Sequence, residues 1–328
     1  MTYFRILCLS ALFWLTGCAT TTPGSPADAS PSAQSNSAAV VTPGLPAART
    51  VPAILPDLAM TGSQSTGPLQ NVANGQISSR TVATLEPPAD LWARIRQGFA
   101  MPDLEHDLVH DREQWYVSRP DYILRMTERS RKYLFHIVEE LERRNMPTEL
   151  ALLPFIESAF NPQAVSSAKA AGMWQFMPST GKYFELKQNV FRDDRRDVLA
   201  STRAALDYLQ KLHGMFGDWH LALAAYNWGE GSVTRAIAKN KRAGLGTSYA
   251  DLSMPAETRL YVPKLQAVKN IVATPQSFNA QLPDIPNHPY FQSVDITRDL
   301  DVALAAQLAE IPLEDFKALN PSASRPVI

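Results

Sequence analysis

One glutamate stands alone in an apolar stretch near the middle of the chain. Glu157 follows Leu153, Phe155 and Ile156, close to the end of a predicted short helix. Removal of a carboxylate from water disfavours its ionised form, and the negative end of a helix dipole adds to this effect, so we expect a raised pKa for Glu157. A carboxyl group that is still protonated near neutral pH can protonate a glycosidic oxygen. A buried glutamate that pairs with a basic residue or caps a neighbouring helix explains this stretch equally well.

Two later segments carry groups that are suited to gripping a sugar. Residues 171–181 read AGMWQFMPSTG, in which Gly172 permits a ligand to approach the backbone and Gln175 offers an amide donor and acceptor. Residues 224–231 read AAYNWGEG and place the ring of Tyr226 beside the amide of Asn227 and a glycine-rich turn. With these segments present, a carbohydrate-cleaving site becomes the favoured interpretation of Glu157.

In this order, the three blocks resemble the catalytic domain of the soluble lytic transglycosylases, which are relatives of goose-type lysozyme. The resemblance covers about residues 91–273, over half of the chain. It implies that Glu157 is the catalytic acid and base, and that Ser166 assists the N-acetylmuramic acid at the reactive position. The other residues implied to contact the substrate are Gln175, Met177, Tyr226, Asn227 and Tyr261. Tyr261 belongs to a further block, Glu257-Thr-Arg-Leu-Tyr261-Val.

Some of these side chains also fit a purely structural role. Tyr226 and Met177 each fit an interior packing position as well as a substrate contact. Of Trp174 and Trp228, which stand inside the matching blocks, we expect one to pack in the core and the other to lie at the rim of the site.

The reaction that the resemblance implies needs one carboxyl group, whereas ordinary glycosidases use two. In that reaction Glu157 would first protonate the oxygen of the β-1,4 bond between N-acetylmuramic acid and N-acetylglucosamine in peptidoglycan. It would then remove the proton of the muramic acid 6-hydroxyl, which closes a 1,6-anhydro ring. No metal or cofactor is implied. A second carboxylate would have to come from candidates outside apolar stretches, namely Glu185, Asp193, Asp194, Asp197 and Glu230. A lysozyme-like hydrolase of the same fold and a non-catalytic peptidoglycan-binding lipoprotein are the alternative functions.

Helical patterns surround the three blocks, and the predicted fold is mainly α, with a lysozyme-like catalytic domain at residues 89–275. Apolar residues recur at steps of three and four between residues 121 and 145, which predicts one helix there. Further helices are predicted over 148–160, 197–216 and 255–273, with Asp197 as an N-cap, and two more begin at Asp218 and after Gly229, the latter capped by Ser232.

The C-terminal part is predicted to be a small α+β segment. After a linker at residues 276–289, residues 290–328 resemble a partial or degenerate LysM module, with a strand at 291–296 and helices near 302–309 and 313–319. Arg298-Asp299-Leu300-Asp301 replaces the Gly-Asp turn that the LysM pattern has before its first helix. Glycan binding and a structural role are both open for this segment.

The first residues predict export and lipid attachment. Residues 1–17 combine Arg5 with a short apolar run, as in a signal peptide, and Leu15-Thr16-Gly17-Cys18 resembles a lipobox. Cys18 would carry the lipid, and Ala19 after it implies the periplasmic face of the outer membrane. An ordinary signal peptide that happens to contain a cysteine is the alternative. Residues 18–88, rich in Ala, Pro, Ser and Thr, are predicted to be a disordered tether.

Charge excludes some classes of partner. The chain has 31 basic and 32 acidic residues, without the basic excess of a nucleic-acid-binding protein. His106 and His110 have a spacing that can seat a metal on a helix, but the residue after His106 is Asp107 rather than the Glu of the zinc-protease motif, so no metal site is predicted. The expected partners are the glycan strands of peptidoglycan and, through the lipid, the outer membrane.

Overall fold

The computed structural model describes Pro88, residues 90–296 and residues 298–326, which all belong to one compact unit. The predicted signal peptide, Cys18 and all of the predicted tether except Pro88 lie outside the described residues. Among the residues that are described, no helix is both long enough and apolar enough to cross a membrane.

The mainly α fold is confirmed. The α-helices are α1 (Leu91–Gln97), α2 (Asp107–Val117), α3 (Pro120–Ser130), α4 (Leu134–Arg143), α5 (Leu153–Ser158), α6 (Pro178–Tyr183), α7 (Val198–Phe216), α8 (Trp219–Trp228), α9 (Glu230–Arg242), α10 (Ala256–Arg259), α11 (Tyr261–Ala273), α12 (Val302–Leu308) and α13 (Leu313–Leu319). Short 3₁₀ turns lie at Thr148–Leu152, Tyr249–Asp251 and Pro275–Phe278. β-Bridges in the described ranges are isolated, as between Val165 and Ala171.

Several predicted helix boundaries are confirmed by their capping contacts. Asp197 accepts a hydrogen bond from the backbone N–H of Ala200 at 2.9 Å and begins α7. Asp218 accepts one from Leu221 at 2.8 Å and begins α8. Each cap satisfies a backbone donor that has no partner within the helix.

Other boundaries were wrong, and proline explains two of them. The single helix expected over 255–273 is two helices that meet at Leu260, because Pro263 lacks the N–H that a continuous helix needs there. Likewise, Pro154 stands at the start of α5, and the residues before it, Thr148–Leu152, form a 3₁₀ turn instead of a first α-helical turn. Ser232 does not cap α9. Gly229, at a φ of 89°, both ends α8 and begins α9.

The single helix expected over 121–145 is also wrong, since a turn at residues 131–133 separates α3 from α4. Near this turn Thr127 Oγ1 donates to the carbonyl of Ile123 at 2.8 Å, and Ser130 Oγ donates to that of Thr127 at 2.6 Å. Such side-chain bonds compete with the helix for backbone carbonyls. The change of direction lets both helices bury their apolar faces in the same core.

The core lies around α8, whose segment Leu221–Ala225 is buried on every side. α7 packs along α8, and α11 packs against α2, α5 and the 3₁₀ turn Thr148–Leu152. A helix that is apolar all round belongs in an interior. α8 therefore gives Tyr226 and Asn227, in its last turn, a rigid support.

The C-terminal segment packs onto this helical unit. Its two predicted helices are present as α12 and α13, but the strand expected at 291–296 is wrong, because these residues form no strand. The hydroxyl of Tyr133 donates to the carbonyl of Ala318 at 2.7 Å, Gln163 Nε2 donates to that of Pro321 at 3.2 Å, and the N–H of Asp193 donates to that of Ser322 at 3.0 Å.

Candidate active site

Glu157 occupies the last turn of α5, and a strained turn ends that helix. Ala159 and Phe160 follow with φ values of 50° and 55°, in the left-handed region that costs a residue with a side chain about 1 kcal/mol or more. The N–H of Phe160 donates to the carbonyl of Pro154 at 3.0 Å. The Phe160 ring is buried and lies 4.4 Å from the ring of Phe155. Core packing thus holds the strained turn directly after Glu157.

The carboxyl group of Glu157 is half-buried and hydrogen-bonded. The hydroxyl of Tyr261 donates to Oε1 at 2.5 Å. Burial raises the pKa of Glu157 to about 7, against the hydrogen bond from Tyr261 and the charge of Lys264, which lower it, while the charge of Glu257 adds to the rise. The raised pKa expected from the sequence is therefore confirmed. A carboxyl group with a pKa near neutrality can both donate and accept a proton.

Tyr226 and Asn227 are fixed by hydrogen bonds at the end of α8. The hydroxyl of Tyr226 donates to the carbonyl of Trp174 at 2.9 Å, and its ring lies 5.4 Å from that of Tyr208. Burial first, and the nearby charge of Glu157 second, raise the pKa of Tyr226 well above its usual value. Asn227 Oδ1 accepts from Thr258 Oγ1 at 2.8 Å. This fixes the orientation of the amide and leaves Nδ2 as a donor for a ligand.

Ser166 and Gln175 lie in a loop that is tied together by its own side chains. Ser166 Oγ accepts from the N–H of Ala170 at 3.1 Å. Gln175 Nε2 donates to the carbonyls of Gly172 at 2.7 Å and Ala164 at 3.4 Å. The amide nitrogen of Gln175, which was expected to serve a sugar, is thus used within the loop, and Oε1 is its atom for a ligand.

The expected reason for Gly172 is wrong. This residue has a φ of 84°, and a Cβ atom there would lie 1.7 Å from the carbonyl oxygen of Arg195. The absence of a side chain is therefore required by the packing of the Arg195 backbone against the loop, not by the approach of a ligand.

The solvent exposure of each side chain shows which of these residues pack in the interior and which do not. Met177 is 43% exposed, so the interior alternative is wrong for it. Trp174 is buried, and its Nε1 donates to Thr202 Oγ1 at 3.0 Å, which makes it the packing residue of the two tryptophans. Trp228 is half-buried beside the core, and its position at the rim stays a prediction.

A closed ring of hydrogen bonds joins the blocks on which the predicted site depends. Ser158 Oγ in the first block donates to the carbonyl of Met173 in the second at 2.9 Å. The second block meets the third through Tyr226 and Trp174, and the third meets the last through Asn227 and Thr258. Tyr261 and Glu157 close the ring. Segments up to 104 residues apart in sequence are in this way held in one arrangement.

Two residues of this region were missed in the sequence. Glu257 is exposed, and its charge acts on Glu157. It is the first residue of the recognised block that contains Tyr261, which was the available signal. Thr258 is 2% exposed and orients Asn227. It is the second residue of the same block, but its buried position could not be read from the sequence.

Four of the five carboxylates considered as partners of Glu157 are engaged elsewhere, and the fifth is exposed. Asp193 pairs with Arg195 at 2.7 Å, and Asp194 pairs with Arg192 at 2.5 Å. Asp197 caps α7, and Glu230 accepts from Tyr208 at 2.8 Å and Lys211 at 2.9 Å. Glu185 is exposed at a turn with a φ of 63°. In residues 90–296 and 298–326, no group of three or more His, Cys, Asp or Glu residues could hold a metal ion.

Comparison with known proteins gives one family match and several relatives. Residues 136–245 match the family model described as "Transglycosylase SLT domain". The chain is 38% identical over 283 residues to "Membrane-bound lytic murein transglycosylase D" of Escherichia coli (strain K12), across 81% of this chain and 63% of that protein. It is 52% identical over 116 residues to "Putative tributyltin chloride resistance protein" of Alteromonas sp. (strain M-1), across 34% of this chain and 56% of that protein.

A weaker match is to "Membrane-bound lytic murein transglycosylase C" of Glaesserella parasuis serovar 5 (strain SH0165). It has 29% identity over 140 residues, across 38% of each chain. The chain thus spans 63% of the length of the Escherichia coli relative and a smaller share of these two others.

Proposed function

We propose that the protein is a peptidoglycan lytic transglycosylase. The match of residues 136–245 to the transglycosylase SLT domain supports this proposal. Its reaction would cleave the β-1,4 bond between N-acetylmuramic acid and N-acetylglucosamine and leave 1,6-anhydro-muramic acid ends. The observation that carries the proposal is Glu157, a half-buried carboxyl group inside this domain, with a pKa of about 7 and a hydrogen bond from Tyr261.

In the first step, protonated Glu157 donates its proton to the glycosidic oxygen as the bond to the anomeric carbon breaks. The N-acetyl group of the substrate stabilises the positive charge that develops on that carbon. Because Tyr261 occupies Oε1, we assign the proton transfer to Oε2. The same hydrogen bond stabilises the carboxylate that the transfer leaves behind.

In the second step, the carboxylate of Glu157 removes the proton of the muramic acid 6-hydroxyl while O6 bonds to the anomeric carbon. The 1,6-anhydro ring closes, and Glu157 is protonated again for the next cycle. The nucleophile belongs to the substrate and has a high effective concentration, so one carboxyl group can serve both steps. No water enters the product.

The remaining predicted residues would grip the glycan around this carboxyl group. Asn227 offers Nδ2 and Gln175 offers Oε1, the polar atoms that the surrounding hydrogen bonds leave available. The exposed side chain of Met177 would cover an apolar sugar face. Ser166 would assist the muramic acid, through a hydroxyl proton that its bond from Ala170 does not use.

The hydrolase alternative is favoured by one observation, the charge of Glu257 close enough to act on Glu157. A second carboxylate could activate water, as in an inverting glycosidase. Digestion of purified sacculi in ¹⁸O-labelled water separates the two reactions. Transglycosylation predicts muropeptides that lack the label and are one water lighter than reducing ends. Labelled reducing ends would establish hydrolysis, and their loss in Glu257→Gln would assign the base.

The proposal extends to the organisation of the whole chain. Residues 89–275 would form the catalytic domain, since α1 buries Leu91 and Ile95 in the same core as the residues of the SLT match. Residues 1–17 would be a signal peptide, with Cys18 lipidated at the outer membrane and residues 18–88 as a tether; the Escherichia coli relative bears the words "membrane-bound" in its name. Loss of radiolabelled palmitate incorporation in Cys18→Ser would support the anchor, and unchanged incorporation would exclude Cys18. Residues 276–289 would link to the LysM-like segment at 290–328.

A further inference from the structure

Two polar contacts join two seam elements, which are α11 and the continuous stretch of residues 148–158, made of the 3₁₀ turn Thr148–Leu152 and α5. At one end, Tyr261 of α11 bonds to Glu157 of α5 at 2.5 Å. At the other end, Lys269 of α11 lies 3.1 Å from Glu149 in the 3₁₀ turn that leads into α5. The partners are eight residues apart on each element and run in opposite chain directions. The two contacts are therefore the ends of one antiparallel packing seam.

Glu149 is an integral part of this seam and makes no hydrogen bond to the residues predicted to bind substrate. It is 1% exposed. Its carboxylate accepts from the N–H groups of Ala100 at 3.0 Å and Met101 at 2.8 Å, in addition to its pairing with Lys269. Lys269 also donates to Asp103 Oδ1 at 2.7 Å. A buried carboxylate persists only with such partners.

Between the two polar ends, both elements contribute apolar side chains to the core. Leu150 and Leu153 on one element and Leu265 and Val268 on the other are at most 2% exposed. Apolar burial is non-directional and specifies a register less sharply than a buried ion pair, which is lost if either partner moves. A slip of one residue along a helix is a shift of about 1.5 Å. A misplacement of about 1 Å at a catalytic group can reduce a rate about 100-fold.

We propose that Glu149 and Lys269 are positioning residues, which set the register of α11 against α5 and thereby hold the hydroxyl of Tyr261 on Glu157. Neither residue contacts substrate in this account. The inference rests on the proposed role of Glu157 as the acid, but not on the identity of the glycan or of the product.

The contact with Tyr261 gives this role a measurable sign. The charged or titratable groups that act on Glu157 are Tyr261, Lys264, Glu257 and, through its own shift, Tyr226. The hydrogen bond from Tyr261 favours the carboxylate and lowers its pKa. If the register loosens, this donor withdraws and the pKa of Glu157 rises further. A purely structural role for Glu149 predicts lower stability without that rise.

The test is a ¹³C NMR titration of the Glu157 carboxyl group in the full chain, with the signal assigned by its loss in Glu157→Gln. Glu149→Gln keeps the shape of the side chain and an acceptor oxygen. We expect it to move the titration midpoint upward, the same direction as the change expected for Tyr261→Phe. The matched control is Glu139→Gln, which alters the pairings of Glu139 with Arg94 and Arg143, neither of which lies on a seam element. Its midpoint should equal that of the wild type.

A double variant decides whether the pair acts through Tyr261. In Glu149→Gln with Tyr261→Phe, the midpoint should equal that of Tyr261→Phe alone, because the donor is already gone. Lys269→Arg, which retains the charge, should keep the wild-type midpoint, whereas Lys269→Met, which removes the charge, should move it upward. If Glu149→Gln does not fold, the two Lys269 variants carry the test. A wild-type midpoint in every folded Glu149 or Lys269 variant overturns the proposal, whether or not the protein cleaves peptidoglycan.

Discussion

The hydroxyl of Tyr261 donates a 2.5 Å hydrogen bond to Oε1 of Glu157 across 104 residues of sequence. This contact brings together the two opposing demands on a catalytic carboxyl group. Burial raises its pKa so that it can give up a proton, and the tyrosine stabilises the anion that results. Tyr261 is 3% exposed and its hydroxyl is already bonded to Glu157, so the proposed reaction would need little reorganisation of this donor.

The raised pKa of Glu157 predicts a specific pH dependence of stability. Its pKa is about 7 when folded, above the ordinary value of 4.5. The folded state therefore binds the proton more tightly, and this contribution is full below the unfolded value and is lost as pH rises through about 7. After allowance for the partial exposure of the group, the loss amounts to on the order of 2 to 3 kcal/mol.

Glu157→Gln cannot ionise and should therefore gain stability over the wild type on going from about pH 5 to about pH 8. Urea unfolding at the two pH values measures the difference. Glu185→Gln, at an exposed glutamate, is the control and should follow the wild type at both pH values. An equal effect of Glu157→Gln at both pH values would mean that Glu157 ionises normally in the folded protein.

Tyr261→Phe should alter the pH profile of catalysis as well as the rate. Loss of the donor raises the pKa of Glu157, so the alkaline limb of kcat should move to higher pH. The carboxylate formed in the first step also loses a charge-assisted hydrogen bond, and kcat should fall about 10- to 100-fold. Tyr133→Phe, which removes a hydroxyl bonded to the carbonyl of Ala318, should change neither. An unmoved alkaline limb in Tyr261→Phe would contradict the assigned role of the hydroxyl.

Two methionines of one block provide a matched test of groove and core. Met173 is fully buried, and Met173→Ala should lower the free energy of unfolding by about 2 to 5 kcal/mol. Met177 is 43% exposed, and Met177→Ala should change stability by about 0.5 kcal/mol or less. Instead it should raise KM for the glycan. Wild-type kinetics for the Met177 variant on polymeric substrate would remove Met177 from the site.

Two glycines predict opposite outcomes for the same substitution. Gly172→Ala would place a Cβ atom 1.7 Å from the carbonyl of Arg195 at a φ of 84°, so this variant should lose about 3 kcal/mol or fail to fold. Gly214 lies within α7, and beyond its chain neighbours and the nearby backbone of that helix no atom lies within 4 Å of its Cβ position. Gly214→Ala should stabilise the protein by about 0.5 to 1 kcal/mol. Thermal unfolding measures both, and a tolerated Gly172→Ala would contradict the tight packing of the loop.

The sequence predicts the helical fold and the unusual carboxyl group because both depend on local patterns. Periodic apolar residues and the cap Asp197 define α7, and the apolar neighbours of Glu157 indicate the burial that raises its pKa. The positions at which one helix ends and the next begins were less predictable. Leu260 separates α10 from α11 because Pro263, three residues later, removes a helical donor, and the apolar pattern continues across the break.

The two glutamates of one apolar stretch show where local patterns fail. Glu149 and Glu157 are eight residues apart, at the two ends of the apolar residues 150–156. Glu149 pairs with Lys269 and accepts from two backbone N–H groups. This is the structural role that the sequence alone left open for Glu157. Only the partners brought by α11, a lysine for one and a tyrosine for the other, separate their roles.

The most direct test of the account is mass analysis of the muropeptides that are released from purified sacculi by the wild-type protein and by Glu157→Gln. The account predicts 1,6-anhydro-muramic acid ends with the wild type and none with the folded variant, which should still bind sacculi. Equal release of anhydro products by Glu157→Gln would contradict the central role of Glu157. A folded wild type that binds sacculi and releases nothing would contradict the assignment of the protein as an enzyme.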